Sequence, residues 1–181
     1  HAEGLLYFGA DGTNKPRQIL PTDDRREVYV ESLVTQGSST AGRKNLEDIL
    51  GPGKFDNPKP VKLIKTLVKI ASKKDSIILD FFAGSGTTGQ AVLELNKEDG
   101  GNRRFILCTN NENGICLNVT YPRLKTVITG KRPDGSKYSD GLPANLYYFK
   151  TDFIKDEANA EQAKYNLVEK VDALLCIAEN I

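Results

Sequence analysis

The chain has 181 residues, 25 basic and 24 acidic side chains, and a net charge of +1. At roughly 150 residues per domain this is about one domain, and the balanced charge excludes a global cationic surface for nucleic acid, so any such site must be local. Uninterrupted apolar runs extend only a few residues, far below the ~20 needed to cross a membrane, and no signal peptide is visible.

The three cysteines, Cys108, Cys116 and Cys176, form no CxxC pair, and the single histidine is His1. A disulfide framework, a zinc knuckle and histidine-based catalysis are therefore not expected, and a reducing cytoplasm is the expected compartment. Methionine is absent even from position 1, which leads us to expect a fragment of a longer protein.

Residues 1–54 read as an irregular segment. LLYFGADGTNKPRQIL (5–20) places two short apolar runs around Asp11-Gly12-Thr13-Asn14 and predicts a hairpin. The polar stretch 21–42, with its cluster QGSSTAG, reads as loop. RKNLEDIL (43–50) predicts a short amphipathic helix stopped by Gly51-Pro52-Gly53.

From Pro60, PVKLIKTLVKIASKK puts Val61, Ile64, Leu67, Val68 and Ala71 on one helical stripe and Lys62, Lys65, Lys69 and Lys73 on another. SIILDFF (76–82) is a continuous apolar run, as in a parallel strand buried on both faces. AGSGTTG turns the chain, TGQAVLELN (88–96) predicts the next helix, and RFILCT (104–109) a second strand. Residues 115–130 carry a helical pattern interrupted near Pro122, and KRPDGSKYSDGLP is rich in turns. The aromatic run NLYYFKTDF (145–153) predicts a third strand, with Tyr147, Tyr148 and Phe149 in the core. Cys108 and Cys116 read as small buried hydrophobes. The tail 154–181, acidic first and apolar at Ala163, Leu167, Val171, Leu174 and Ala178, predicts a helix. Strand, helix, strand, helix, strand, helix is the pattern of an α/β sheet with crossover connections.

Gly84-Ser-Gly86-Thr-Thr-Gly89 matches GxGxxG directly between a predicted strand and helix, the context a nucleotide-type loop requires. No lysine follows, which disfavours nucleoside triphosphates. Asp80 ends the strand four residues before Gly84, where a carboxylate repels a pyrophosphate but complements an ammonium or sulfonium group. S-adenosylmethionine (SAM) carries both and no phosphate, so the loop is better read as a SAM loop than as a dinucleotide loop.

FDNPKPVKLI (55–64), ILDFFAGSGTTG (78–89) and GGNRRFILCTNNEN (100–113) together resemble the SAM-binding half of amino DNA methyltransferases. Among these the resemblance is to the modification subunits of type III restriction-modification systems, which methylate adenine at N6. It implies a partial SAM-dependent methyltransferase fold, Rossmann-like, with three strands and flanking helices: a SAM-binding α/β half-domain at 55–153 and a C-terminal helix at 154–181.

The resemblance also assigns residues. Asp80, Phe81, Ala83, Gly84, Ser85, Gly86, Thr87 and Thr88 form the loop around the methionine end of SAM. Phe55, Asn57, Lys59 and Pro60 close over that end, with Lys59 available to balance the carboxylate. Asn110 and Glu112 stand nearest the position that takes the ribose hydroxyls, where the family's acid is out of register. Asp152 falls near the adenine ring.

Methylating an exocyclic amine also requires acceptors that restore its nucleophilicity, and the family's Asp/Asn/Ser-Pro-Pro-aromatic tetrapeptide is absent. The expected parent is an enzyme whose recognition and catalytic region precedes this segment, with the 181 residues alone inactive and binding SAM weakly or not at all. Double-stranded DNA, a restriction subunit and a second modification subunit are the implied partners. A cytosine-N4 enzyme and a non-catalytic remnant that binds SAM, DNA or a partner chain are the alternatives.

Overall fold

The computed structural model describes residues 37–151, 161–166 and 168, together with the backbone of Leu6–Tyr7 and Arg17–Gln18. Strand β1 (Leu6–Tyr7) pairs antiparallel with β2 (Arg17–Gln18), Leu6 opposite Gln18 and Tyr7 opposite Arg17. This is the pairing that the expected hairpin requires.

Helix α1 spans Ser39–Leu50. Its start lies four residues before the expected one, inside the stretch read as loop. Ser38 explains the difference: its hydroxyl accepts the Ala41 N–H (3.2 Å), capping an otherwise unpaired donor at the helix start. Gly51, at φ 82°, ends the helix as expected.

Helix α2 (Val61–Ala71) follows Pro60. Of the predicted apolar stripe Val68 is buried and Ile64 half-buried, whereas Leu67 and Ala71 are exposed. Strand β3 (Ile77–Asp80), helix α3 (Thr87–Asp99) and strand β4 (Arg104–Leu107) form a β-α-β unit. The strands are parallel, with Ile77 opposite Arg104 and Asp80 opposite Leu107. Beyond β4 come a 3₁₀ turn (Glu112–Gly114), a π-helical turn (Cys116–Thr120) and helix α4 (Tyr121–Thr129). The predicted interruption is therefore real, but it is the π turn, and Pro122 sits harmlessly in the first turn of α4.

The core lies on one side of the sheet. Val68 of α2 packs with Val92 and Leu95 of α3, backed by Ile78 and Phe105 of the strands. Ile49, Leu93 and Val127 join α1, α3 and α4, again with Phe105 beneath them. Lys65 bridges to Glu94 (3.2 Å) and Glu98, tying α2 to α3.

Three expectations need correction. The strands are not buried on both faces: Ile77, Leu79 and Ile106 remain about half exposed, at 52%, 51% and 52%. Among the described residues, helices cover only the face bearing Ile78 and Phe105, and an apolar run cannot reveal whether a second layer is present. Residues 145–151 form no strand, so the described parallel sheet has two strands and not three. Aromatic side chains suit a strand only where a neighbour takes the backbone hydrogen bonds, and here the rings pack otherwise: Tyr148 lies edge-on to Tyr121, and Tyr147 stacks on Phe149. These three side chains are exposed rather than core. Cys108 and Cys116 are only partly buried, both as free thiols, and burial pushes the Cys116 thiol above its ordinary value despite a hydrogen bond with Tyr148.

Residues 161–166 and 168 are helical, and the rest of the expected C-terminal helix 154–181, Cys176 included, lies outside the described residues. Among the described residues no helix is long and apolar enough to cross a membrane.

Candidate functional site

The glycine turn leaves β3 at Asp80 and enters α3 at Thr87. Its entry is an extension of the sheet: the Cys108 N–H donates to the Asp80 carbonyl (2.8 Å), and the Ala83 N–H donates to the Cys108 carbonyl (3.1 Å). Gly84 and Gly86 then adopt φ values of 49° and 77°, a left-handed backbone that costs an L side chain roughly 1–2 kcal/mol per residue. Gly86 has a second reason to lack a side chain, because a Cβ there would lie 3.1 Å from the Thr120 methyl.

Asp80 is held by the loop it precedes. One carboxylate oxygen accepts the Phe82 N–H (3.0 Å) and the other accepts the Thr88 hydroxyl (2.6 Å). A carboxylate has about four lone-pair sites, so this pinned, half-buried group retains acceptor capacity for a cationic ligand.

Ser85 and Thr87 are buried and point inward. Their hydroxyls lie 3.1 Å apart, and both accept from Arg123. The loop therefore presents Phe81, Phe82 and Gly84 outward, to a groove of about 520 Å³ whose other wall is Thr109, Asn110, Glu112, Asn113 and Ile115. That volume falls within the usual range for small-molecule sites, about 300–1,000 Å³.

The far wall follows from the turn after β4. Asn111 and Asn113 both have φ of 53°, which Asn tolerates better than most residues. The Asn111 side chain accepts the N–H groups of Cys116 (2.9 Å) and Leu117 (3.4 Å), fixing the turn to the π segment. Glu112 and Asn110 then pair, the Glu112 N–H donating to the Asn110 amide oxygen (3.1 Å) and the Asn110 amide donating to the carboxylate (3.4 Å). The expected polar pair therefore reaches the groove even though its acid lies beyond the strand tip.

The segment 55–60 approaches from the other side. A Cβ at Gly84 would lie 3.6 Å from the Phe55 ring, so that ring stands against the turn. The Lys59 carbonyl accepts the Thr87 hydroxyl (3.3 Å), while Lys59 itself is exposed. Pro58 and Pro60 are buried; α1 comes so close to them at Gly42 that a Cβ there would collide with the Pro58 carbonyl. Asn57 is exposed, and Asp152 lies outside the described residues. The turn thus meets Phe55 and the Lys59 backbone and shares its groove with Asn110 and Glu112.

The sequence reading did not assign Phe82, 92% exposed at the groove mouth, or Arg123, which is completely buried. Phe82 carried a signal in its adjacency to Phe81 at a strand end. Arg123 carried none, since a charged residue inside a helical pattern reads as surface. Burial pulls the Arg123 guanidinium down to about 10, still charged at neutral pH. A further groove, about 610 Å³, runs between α1, α2 and α3, shares no residue with the turn, and has its Lys65 engaged by Glu94 and Glu98.

A family described as DNA methylase matches residues 21–165, most of the chain and all of this site. The chain belongs to the DNA methylase family. It is 43% identical over 109 residues to the Mod subunit of the type III restriction-modification enzyme StyLTI of Salmonella typhimurium, a match covering 60% of this chain and 17% of that protein. Against the EcoPI Mod subunit of Escherichia phage P1 the identity is 47% over 93 residues, 51% of this chain and 14% of the relative. Against the type II methyltransferase M.KpnI of Klebsiella pneumoniae it is 39% over 134 residues, 73% of this chain and 30% of the relative. The chain therefore spans less than a third of the length of each of these three relatives. The resemblance drawn from the three sequence motifs is borne out at the level of the family, and the mixed α/β fold with a parallel sheet agrees with it.

Proposed function

We propose that this chain is the cofactor-holding part of a SAM-dependent DNA methyltransferase of a type III restriction-modification system, with adenine N6 as the methylated atom. The carrying observation is a pinned Asp80 carboxylate directly preceding a turn whose Phe81, Phe82 and Gly84 line an open groove, with Asn110 and Glu112 on the groove's other wall. An acceptor at one end suits the ammonium and sulfonium of SAM, and a paired amide and carboxylate at the other suit vicinal hydroxyls. Phe55, Phe81 and Phe82 supply apolar surface between these ends.

In this assignment Asp80, Phe81, Ala83, Gly84, Ser85, Gly86, Thr87 and Thr88 shape the methionine end, with Phe55, Asn57, Lys59 and Pro60 beside it. Asn110 and Glu112 take the ribose, and Asp152 the adenine ring. Bound SAM supplies an electrophilic methyl group. The chain's own residues would hold the cofactor: Asp80 would accept from the cationic end, and Asn110 and Glu112 would pair with the ribose hydroxyls across the groove. The sequence contains no Pro-Pro-aromatic tetrapeptide, so amine activation is assigned to residues outside these 181. Duplex DNA, a restriction subunit and a second Mod-type subunit are the proposed partners; the relatives' names, Mod subunits of restriction-modification enzymes, support the restriction-modification setting.

Isothermal titration discriminates among ligands. SAM should bind with a Kd on the order of 1 mM or somewhat tighter, while NAD and ATP should give no heat. Binding of NAD or ATP in preference to SAM would overturn the cofactor assignment.

A further inference from the structure

The backbone of the turn has alternatives, because two glycines in left-handed conformations are free to leave them. Something must select this one. Two side chains from the segment after β4 contact the turn from within the protein, and neither lines the groove. Thr120, the last residue of the π turn, donates its hydroxyl to the Gly84 carbonyl (2.6 Å) and places its methyl against Gly86. Arg123 donates through one terminal nitrogen to the Ser85 carbonyl (3.2 Å), the Ser85 hydroxyl (3.0 Å) and the Thr87 hydroxyl (2.9 Å).

The remaining Arg123 donors reach Gln90 on α3 (2.8 Å) and Asn45 on α1 (2.9 Å). Every one of these partners is neutral. The carboxylate connected to them, Glu94, is reached only through the Gln90 amide (2.9 Å). A buried cation without a direct counter-ion is a poor stabilising device, since an apolar side chain of similar volume packs as well or better. What the guanidinium offers instead is a rigid planar fork of donors, here facing one carbonyl and four side-chain oxygens on three segments, three of these oxygens sharing the two hydrogens of one terminal nitrogen. Thr120 and Arg123, three residues apart where the π turn runs into α4, share one helical face and so reach the same side of the loop, and π turns recur at functional sites.

We infer that Arg123 and Thr120 are positioning residues of this site, locking the Gly84–Thr87 backbone from beneath so that Asp80 and the groove face keep one geometry. The inference rests on the reading of this groove as the cofactor site, but its test need not.

Amide hydrogen exchange of the 181-residue chain reads the local effect. In Thr120→Val and Arg123→Lys, amides 84–88 should exchange about 10-fold faster or more, with amides of β3 and β4 changed less than about 2-fold. Thr120→Ser, which keeps the hydroxyl, should restore the wild-type rates. Thr120→Val serves alone if Arg123→Lys fails to fold. Unchanged rates at 84–88, or an equal rise in both strands, would overturn the inference. SAM titration of the wild type is read separately: no binding together with a loosened turn would count against the cofactor assignment and leave the brace intact.

Discussion

Gly86 combines two constraints that can be separated by substitution. Its φ of 77° penalises any side chain, and Thr120 crowds the place a Cβ would occupy. Gly100 shares the positive φ, at 66°, but nothing lies within 4 Å of its Cβ position. Gly86→Ala should therefore lower stability by about 1–2 kcal/mol in urea denaturation, and Gly100→Ala by less. Equal losses would show that the Thr120 contact does not constrain the turn. At this scale the sequence was informative where a residue's chemistry is specified by backbone context: Asp80, Gly84 and Gly86 could be read from their spacing. Thr120 and Arg123 could not, because their partners in the turn are 36 and 38 residues away in the chain.

Between elements, the junction of α3 and β4 carries a titratable lock. Arg103 is buried and bridges to Asp99 (3.0 Å), while its backbone N–H and carbonyl bond the Asn96 amide. Burial pushes the Asp99 carboxyl upward, but the bonds from Arg103 and the Gly101 N–H, with the charges of Arg103 and Lys74, outweigh it and hold the group below its ordinary 3.8. A carboxyl depressed on folding adds stability above its unfolded value and loses that contribution as pH falls through the folded one. Asp99→Asn should therefore reduce the urea midpoint at neutral pH and flatten its decline below about pH 4. An unchanged acid profile would remove Asp99 from the account. The helices and the two parallel strands were legible because their apolar periodicity and breakers agree. The third strand was not, because aromatic composition specifies a surface that packs and says nothing about whether a neighbouring strand exists.

For the molecule as a whole, the consequence of a one-sided core is exposed apolar surface. Ile77, Leu79 and Ile106 form a half-exposed sheet face that none of the described helices covers, with Phe81 and Phe82 just beyond the end of β3. Patches of this kind drive association, so the isolated chain should self-associate at concentrations of about 100 μM, and Leu79→Lys with Ile106→Lys should restore a monomer in light scattering. A wild-type chain that stays monomeric would mean this face is adequately solvated. The family was readable from three short motifs, and no charge argument could have found it, since a net charge of +1 is silent about a local site.

The claim on which the rest depends is that the turn and the Asn110–Glu112 wall form one SAM site. Backbone amide chemical shifts of the chain, followed as SAM is added to a few mM, test it directly. Shifts are expected at Gly84–Thr88 and at Thr109–Asn113, greatly reduced in Asp80→Ala. Shifts confined to the groove between α1, α2 and α3, or a response identical in Asp80→Ala, would contradict it.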